Sequence, residues 1–130
     1  MRTHLLTALL CLAVPATAGA QSVAHGKYLV EGTSMCNDCH TPRDDKGQFI
    51  ASKTLQGAPI DFKSLHPMPW ADAAPSIAGL PANYTPAQLV TFLQTGKRPD
   101  GSSPRPPMPP YRFSRSDAES ITAYLRTLKK

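Results

Sequence analysis

The sequence predicts an all-α fold, with about three main helices joined by long loops that wrap around a bound group. Three segments carry apolar residues at helical spacing, and two of them have capping residues at their ends. The 14 prolines stand between these segments or at a first helical position, which excludes a long coiled coil or a regular sheet. About fifty residues without strong periodicity separate the first helix from the second, and a loop of that length suits a packed domain only if it wraps something.

Residues 1–20 read as a secretory signal peptide. Met1-Arg2 gives a positive start, Leu5 to Val14 is apolar, and Ala18-Gly19-Ala20 fits cleavage before Gln21. Leu10 ahead of Cys11 is not the small residue that lipoprotein processing needs. The apolar run is too short to span a bilayer, and nothing later is apolar enough to try, so the expectation is an exported chain without a transmembrane anchor. Residues 21–130 then form the functional domain. Loss of Arg2 leaves 13 basic against 9 acidic side chains, a net charge of +4. Proline is about twice its usual share of roughly 5%, but nine aromatic residues between Tyr28 and Tyr124 argue against disorder. A loop-rich domain this small has a thin core and needs a disulfide, a metal or a cofactor to hold it together.

The first helix is expected from about Ser22 to Met35, with Val23, Tyr28, Leu29 and Val30 sharing a broad apolar side. Gly26 inside it implies close approach of another backbone or ring, since glycine costs about 1 kcal/mol relative to alanine there. The second helix is punctuated by Thr85 as cap, Pro86 at its first position and Gly96 at its end, around Leu89, Val90 and Leu93. The third starts at Ser114 or Ser116, where Ser116-x-x-Glu119 reads as a capping box. Ile121, Tyr124, Leu125 and Leu128 form its stripe, with Lys129 and Lys130 at the negative end of its dipole.

The chemistry lies in Cys36-Asn37-Asp38-Cys39-His40. C-x-x-C-H is the attachment signature of c-type haem. Two thiols one helical turn apart can each bond a vinyl group on one porphyrin edge, and the imidazole of the next residue then reaches the iron. Export agrees, because c-type haem is attached outside the cytoplasm in bacteria. A Cys36–Cys39 disulfide of the thiol-oxidoreductase kind would sit near a βαβ pattern, and none is present. A structural zinc site wants four ligands, with only His25 and His66 to add, and an adjacent Cys39-His40 pair suits a tetrahedral metal poorly. Chance occurrence does not explain the agreement of motif, export signal, thin core and wrapping loop.

The sixth iron ligand decides between electron transfer and small-molecule chemistry. Met35, Met68, Met108, His25 and His66 are the candidates. Met35 abuts the motif on the wrong side of the ring. Met108, in Pro106-Pro107-Met108-Pro109-Pro110, lies on a proline-stiffened loop before the last helix, which suits a long, weak iron–thioether bond. It is the expected ligand, and Met68 between Pro67 and Pro69 is the rival.

On these residues the sequence resembles the single-haem class I c-type cytochromes, and most of all the cytochrome c domains of bacterial periplasmic alcohol, aldehyde and sugar-acid dehydrogenases. The likeness runs through Cys39-His40-Thr41-Pro42-Arg43-Asp44, Gly47, Leu55-x-Gly57, Lys97-Arg98-Pro99-Asp100-Gly101, Pro107-Met108-Pro109 and Ala123-Tyr124-Leu125-Arg126. It implies a cytochrome c fold around one haem c, with Cys36 and Cys39 as thioether anchors and His40 and Met108 as axial ligands. It also implies crossing first and last helices, with Tyr124 against Gly26. The chain departs from the pattern at Pro75-Ser76-Ile77-Ala78, where relatives often read Pro-Asn-Leu/Ile-Thr.

Lys97, Arg98, Arg105, Arg112 and Arg115 against Asp100 give segment 97–115 the whole net charge of the exported chain. They read either as a docking surface for an acidic redox partner or as partners of haem propionates plus solvated cations. Nucleic acid is a poor partner for an exported protein. The expected function is a periplasmic one-electron carrier, performing no bond-making chemistry, between a dehydrogenase and a respiratory acceptor such as a terminal oxidase or another cytochrome. The alternatives are a dedicated dehydrogenase subunit and a haem sensor or peroxidase with open iron.

Overall fold

The computed structural model describes residues 22–130, so the expected signal peptide, residues 1–20, lies outside the described residues. Four helices carry the fold: α1 (Val23–Tyr28, running on as a π-helical turn over Leu29–Thr33), α2 (Cys36–His40), α3 (Pro86–Thr95) and α4 (Arg115–Thr127). Short strands β1 (Ala58–Pro59) and β2 (Ala73–Ala74) pair antiparallel, Ala58 opposite Ala74, and close the loop between α2 and α3.

α1 and α4 cross at Gly26. A Cβ on that residue would lie 1.9 Å from the Ser120 carbonyl oxygen and 2.9 Å from the Tyr124 Cβ. The close approach expected there is present, but its floor is the α4 backbone at Ser120 more than the Tyr124 ring. Polar groups latch the crossing at both ends: His25 Nε2 donates to Asp117 at 2.8 Å, and the Tyr124 hydroxyl donates to Glu31. The expected apolar side of α1 is narrower than the sequence implies. Leu29 and Val30 are buried, whereas Val23 is 44% and Tyr28 61% exposed. Gly26, Leu29 and Val30 share one side at helical spacing; Val23 has that spacing too but is the first residue of the helix, and Tyr28 falls outside it.

α3 has the expected punctuation. The Thr85 hydroxyl accepts from the Gln88 amide while the Gln88 side chain accepts from the Thr85 amide, a reciprocal capping box. Gly96 ends the helix at φ 65°, where a side chain would strain the backbone. α4 is capped by Ser114, whose hydroxyl accepts from the Asp117 amide at 3.1 Å. The expected capping box at Ser116 does not form, because Ser116 is already inside the helix and Glu119 pairs instead with Arg115 Nε at 2.8 Å. The core joins Leu29, Val30, Leu55, Leu89, Leu93, Ile121, Tyr124 and Leu125. It is thin, as expected for a small loop-rich chain.

Candidate functional site

The chain leaves α1 and turns sharply at Met35, a left-handed residue (φ 50°) that caps α2. This break sets the short motif helix at a new angle, with Cys36 and Cys39 one turn apart and His40 beside them. Thr41 then locks the motif to the following loop. Its buried hydroxyl donates to Asn37 Oδ1 and accepts from the Leu55 amide, each at 2.8 Å, and the Gly57 amide donates to the His40 carbonyl at 2.8 Å.

Beside the motif is a mainly apolar cavity of about 550 Å³. Cys36, Cys39 and His40 line one side. Loop residues Ala71 to Pro75 and Ile77 form a second wall, Leu89, Phe92 and Leu93 of α3 a third, and Ile121 and Leu125 of α4 a fourth. Segment 104–113 completes it with Arg105, Met108 and Tyr111 among its contributions. The long loop without periodicity therefore has its explanation: it walls this cavity.

His40 is 5% exposed. Its Nδ1 lies 2.7 Å from the Pro75 carbonyl oxygen, which can only accept, so Nδ1 carries the proton and Nε2 the free lone pair. No fully buried side-chain nitrogen or oxygen among the described residues lacks a hydrogen-bond partner. Nε2, which has none, is therefore open to the cavity that His40 lines. Burial holds the imidazole below its ordinary pKa, against the pull of the Pro75 carbonyl. The ring is thus a neutral, oriented imidazole. The carbonyl that holds it, thirty-five residues along the chain, was not legible in the sequence, although Pro75 itself lies in the stretch where the family pattern begins.

Cys36 and Cys39 are both free. Burial pushes the Cys36 thiol up to about 11 and raises Cys39 as well. Among the described residues no three His, Cys, Asp or Glu side chains gather as a metal site, and no strand–helix–strand unit surrounds the motif. The zinc and disulfide alternatives lose their support.

The candidate sixth ligands are separated by the fold. Met108 lines the cavity; Met68, His25 and His66 do not. Met68 is 47% exposed, and His25 is engaged by Asp117 at the helix crossing. Met35 also lines the cavity, but it is 59% exposed and caps the motif helix itself. Segment 104–113 is tied to three parts of the chain: the Ala71 amide donates to Pro106 (2.8 Å), the Phe113 amide to Leu93 (3.1 Å) and the Tyr111 hydroxyl to Ser34 (2.8 Å). Burial, then the nearby Cys36 and Cys39 sulfurs, push Tyr111 up to about 12.

The basic segment divides. Arg98 and Arg105 line the cavity, Arg115 is taken by Glu119, and Arg112 donates to the Pro110 and Tyr111 carbonyls. Lys97 is exposed and reaches Ser103 at 2.9 Å.

An apolar cavity with two sulfurs and an oriented imidazole on one wall agrees with the sequence match, which covers residues 23–129 with the cytochrome c family. The chain belongs to the cytochrome c family. It is 32% identical over 113 residues to a diheme c-type cytochrome of Cereibacter sphaeroides, covering 78% of this chain and 33% of that protein. It is also 37% identical over 87 residues to the cytochrome c subunit of a quinone alcohol dehydrogenase of Gluconobacter oxydans, covering 58% of this chain and 16% of that protein. The chain thus spans a third or less of the length of these relatives. This cytochrome c is an electron-transfer protein in an all-α fold, and membership carries covalently bound haem c with it. The residues present fit that group: two thiols in C-x-x-C-H spacing, a neutral imidazole with an open Nε2, and apolar walls. No helix among the described residues is long and apolar enough to cross a membrane.

Proposed function

We propose that this cytochrome c is a periplasmic one-electron carrier holding a single haem c, delivered as residues 21–130 after removal of a signal peptide near Ala20. Cys36 and Cys39 would anchor the haem through thioethers, and His40 and Met108 would ligate its iron. The observation that carries the reading is the meeting of Cys36, Cys39, His40 and Met108 on the walls of one apolar cavity. When bound, the haem supplies a one-electron ferric/ferrous couple. The chain's own work is positional. The Pro75 carbonyl keeps the proton on His40 Nδ1, so the ligand lone pair stays on Nε2. Prolines on both sides stiffen the backbone at Met108, and a thioether ligand there would favour the reduced state and raise the potential. Apolar walls exclude water, which limits reorganisation as charge changes. Arg98 and Arg105, on the cavity wall, are placed for carboxylates of the bound group. Lys97 and Arg112 are left to attract an acidic redox partner.

The partners are a periplasmic dehydrogenase as donor and a terminal oxidase or another cytochrome as acceptor. Likeness to a dehydrogenase's cytochrome subunit favours, as a second reading, a dedicated subunit. Co-purification of a stable complex separates it from a free carrier. The primary test is the visible spectrum of the purified protein, oxidised and reduced, with and without carbon monoxide, together with its intact mass. The expected result is residues 21–130 plus one haem, low-spin in both states and inert to carbon monoxide. A high-spin protein that binds carbon monoxide readily overturns the carrier reading in favour of a sensor or peroxidase.

A further inference from the structure

We propose that Tyr111 is a positioning residue whose hydroxyl straps the segment carrying Met108 to the chain that enters the haem-attachment motif. This rests on the reading of Met108 as a ligand. Three residues after Met108, Tyr111 reaches back across 77 residues of sequence to donate to the Ser34 carbonyl at 2.8 Å. Ser34 caps the end of the Leu29–Thr33 turn, and the left-handed Met35 and then Cys36 follow it. The bond therefore ties the segment bearing Met108 to the chain leading into Cys36, Cys39 and His40.

The other ties of the segment go elsewhere, from Ala71 to Pro106 and from Phe113 to Leu93. Tyr111 thus supplies its hydrogen bond to the motif side. Stacking on Phe113, with ring centroids 4.9 Å apart, fixes the direction of the phenol. Met108 itself has one local backbone bond, its amide to the Arg105 carbonyl at 3.2 Å. A weak iron–thioether bond on a segment with few ties opens whenever the segment lifts, and the strap sets how often that happens.

The experiment compares holo-protein carrying Tyr111→Phe with wild type and with Tyr124→Phe. Tyr111→Phe keeps the ring stack and removes only the strap. Tyr124→Phe also removes one phenolic hydrogen bond, to Glu31 at the α1–α4 crossing, away from the segment. Ferric protein is titrated with imidazole, and amide hydrogen exchange is followed over residues 105–113. Tyr111→Phe should bind imidazole about five- to tenfold more tightly, the equivalent of one buried hydrogen bond. It should also exchange faster over 105–113, with the haem still attached. Tyr124→Phe should leave both readouts at wild-type values while lowering the melting temperature. Unchanged exchange over 105–113 in Tyr111→Phe overturns the proposal, as does an equal rise in both variants. Faster exchange in a protein whose wild type lacks the near-infrared methionine–ferric band would keep the strap and remove Met108 as ligand, so the two readings fail separately.

Discussion

Replacing Gly26 with alanine sets two effects against each other. Alanine at a helical glycine should stabilise by about 1 kcal/mol through propensity alone. Against this, the new Cβ would stand 1.9 Å from the Ser120 carbonyl oxygen and 2.9 Å from the Tyr124 Cβ. A carbon–oxygen contact needs about 3.3 Å, so α1 and α4 must part by more than about 1 Å at their crossing. The nearest obstacle is backbone, and no rotamer change relieves it. Overpacking of this kind costs about 1–3 kcal/mol, and a rigid backbone floor puts the cost at the upper end. The net expectation is destabilisation by about 2 kcal/mol, or about 8–16 °C in melting temperature for a domain of about a hundred residues. Separation also stretches the latches from His25 to Asp117 and from Tyr124 to Glu31. The assay is thermal unfolding of the holo-protein followed by far-ultraviolet circular dichroism. Gly32→Ala is the control, since its Cβ would meet only the Tyr28 ring, at 3.4 Å, and it should melt close to wild type or slightly higher. A Gly26→Ala protein melting at or above wild type would refute the reasoning, because propensity would then have outweighed contact.

Cys36→Ala or Cys39→Ala should weaken or prevent covalent haem attachment, and losing both should leave an unfolded or degraded chain, because the core is thin without the group; a folded, soluble, haem-free double variant, seen by circular dichroism, would contradict this. Met108→Ala should keep the haem, lower the reduction potential and admit imidazole, whereas Met68→Ala should do none of these; the near-infrared methionine–ferric band surviving the first change and vanishing in the second would reverse the assignment. Asp117 is held below the usual carboxylate range, first by the hydrogen bond from His25 and then by that from Ser114. Its contribution is present above the unfolded carboxylate pKa and lost as pH falls through the lowered folded one, so Asp117→Asn should flatten the acid limb of the stability–pH curve measured by denaturant titration. Thr85→Ala should cost about 1 kcal/mol by removing the hydroxyl half of the α3 capping box, read as a lower denaturation midpoint at unchanged slope.

The sequence by itself determined what local geometry encodes. Thr85, Pro86 and Gly96 mark both ends of α3 because caps act over three or four residues. C-x-x-C-H specifies its chemistry because two thiols and an imidazole lie within one and a half helical turns. Gly26 signalled a close approach because a glycine inside a helix costs stability unless something fills the space. The start of α4 was ambiguous within that same local range, because Ser114 and Ser116 both fit a cap, and it was settled when Asp117 bonded Ser114 while Glu119 turned to Arg115. Tertiary structure separated Met68 from Met108. Met68 and Met108 carry the same proline-flanked signature, yet only Met108 lines the cavity. It also decided that the Pro75 carbonyl orients His40 and that Tyr111 reaches Ser34. Those contacts join residues thirty-five and seventy-seven positions apart through loops without periodicity. Their placement follows from wrapping a shared cavity, and no spacing within a single element records it.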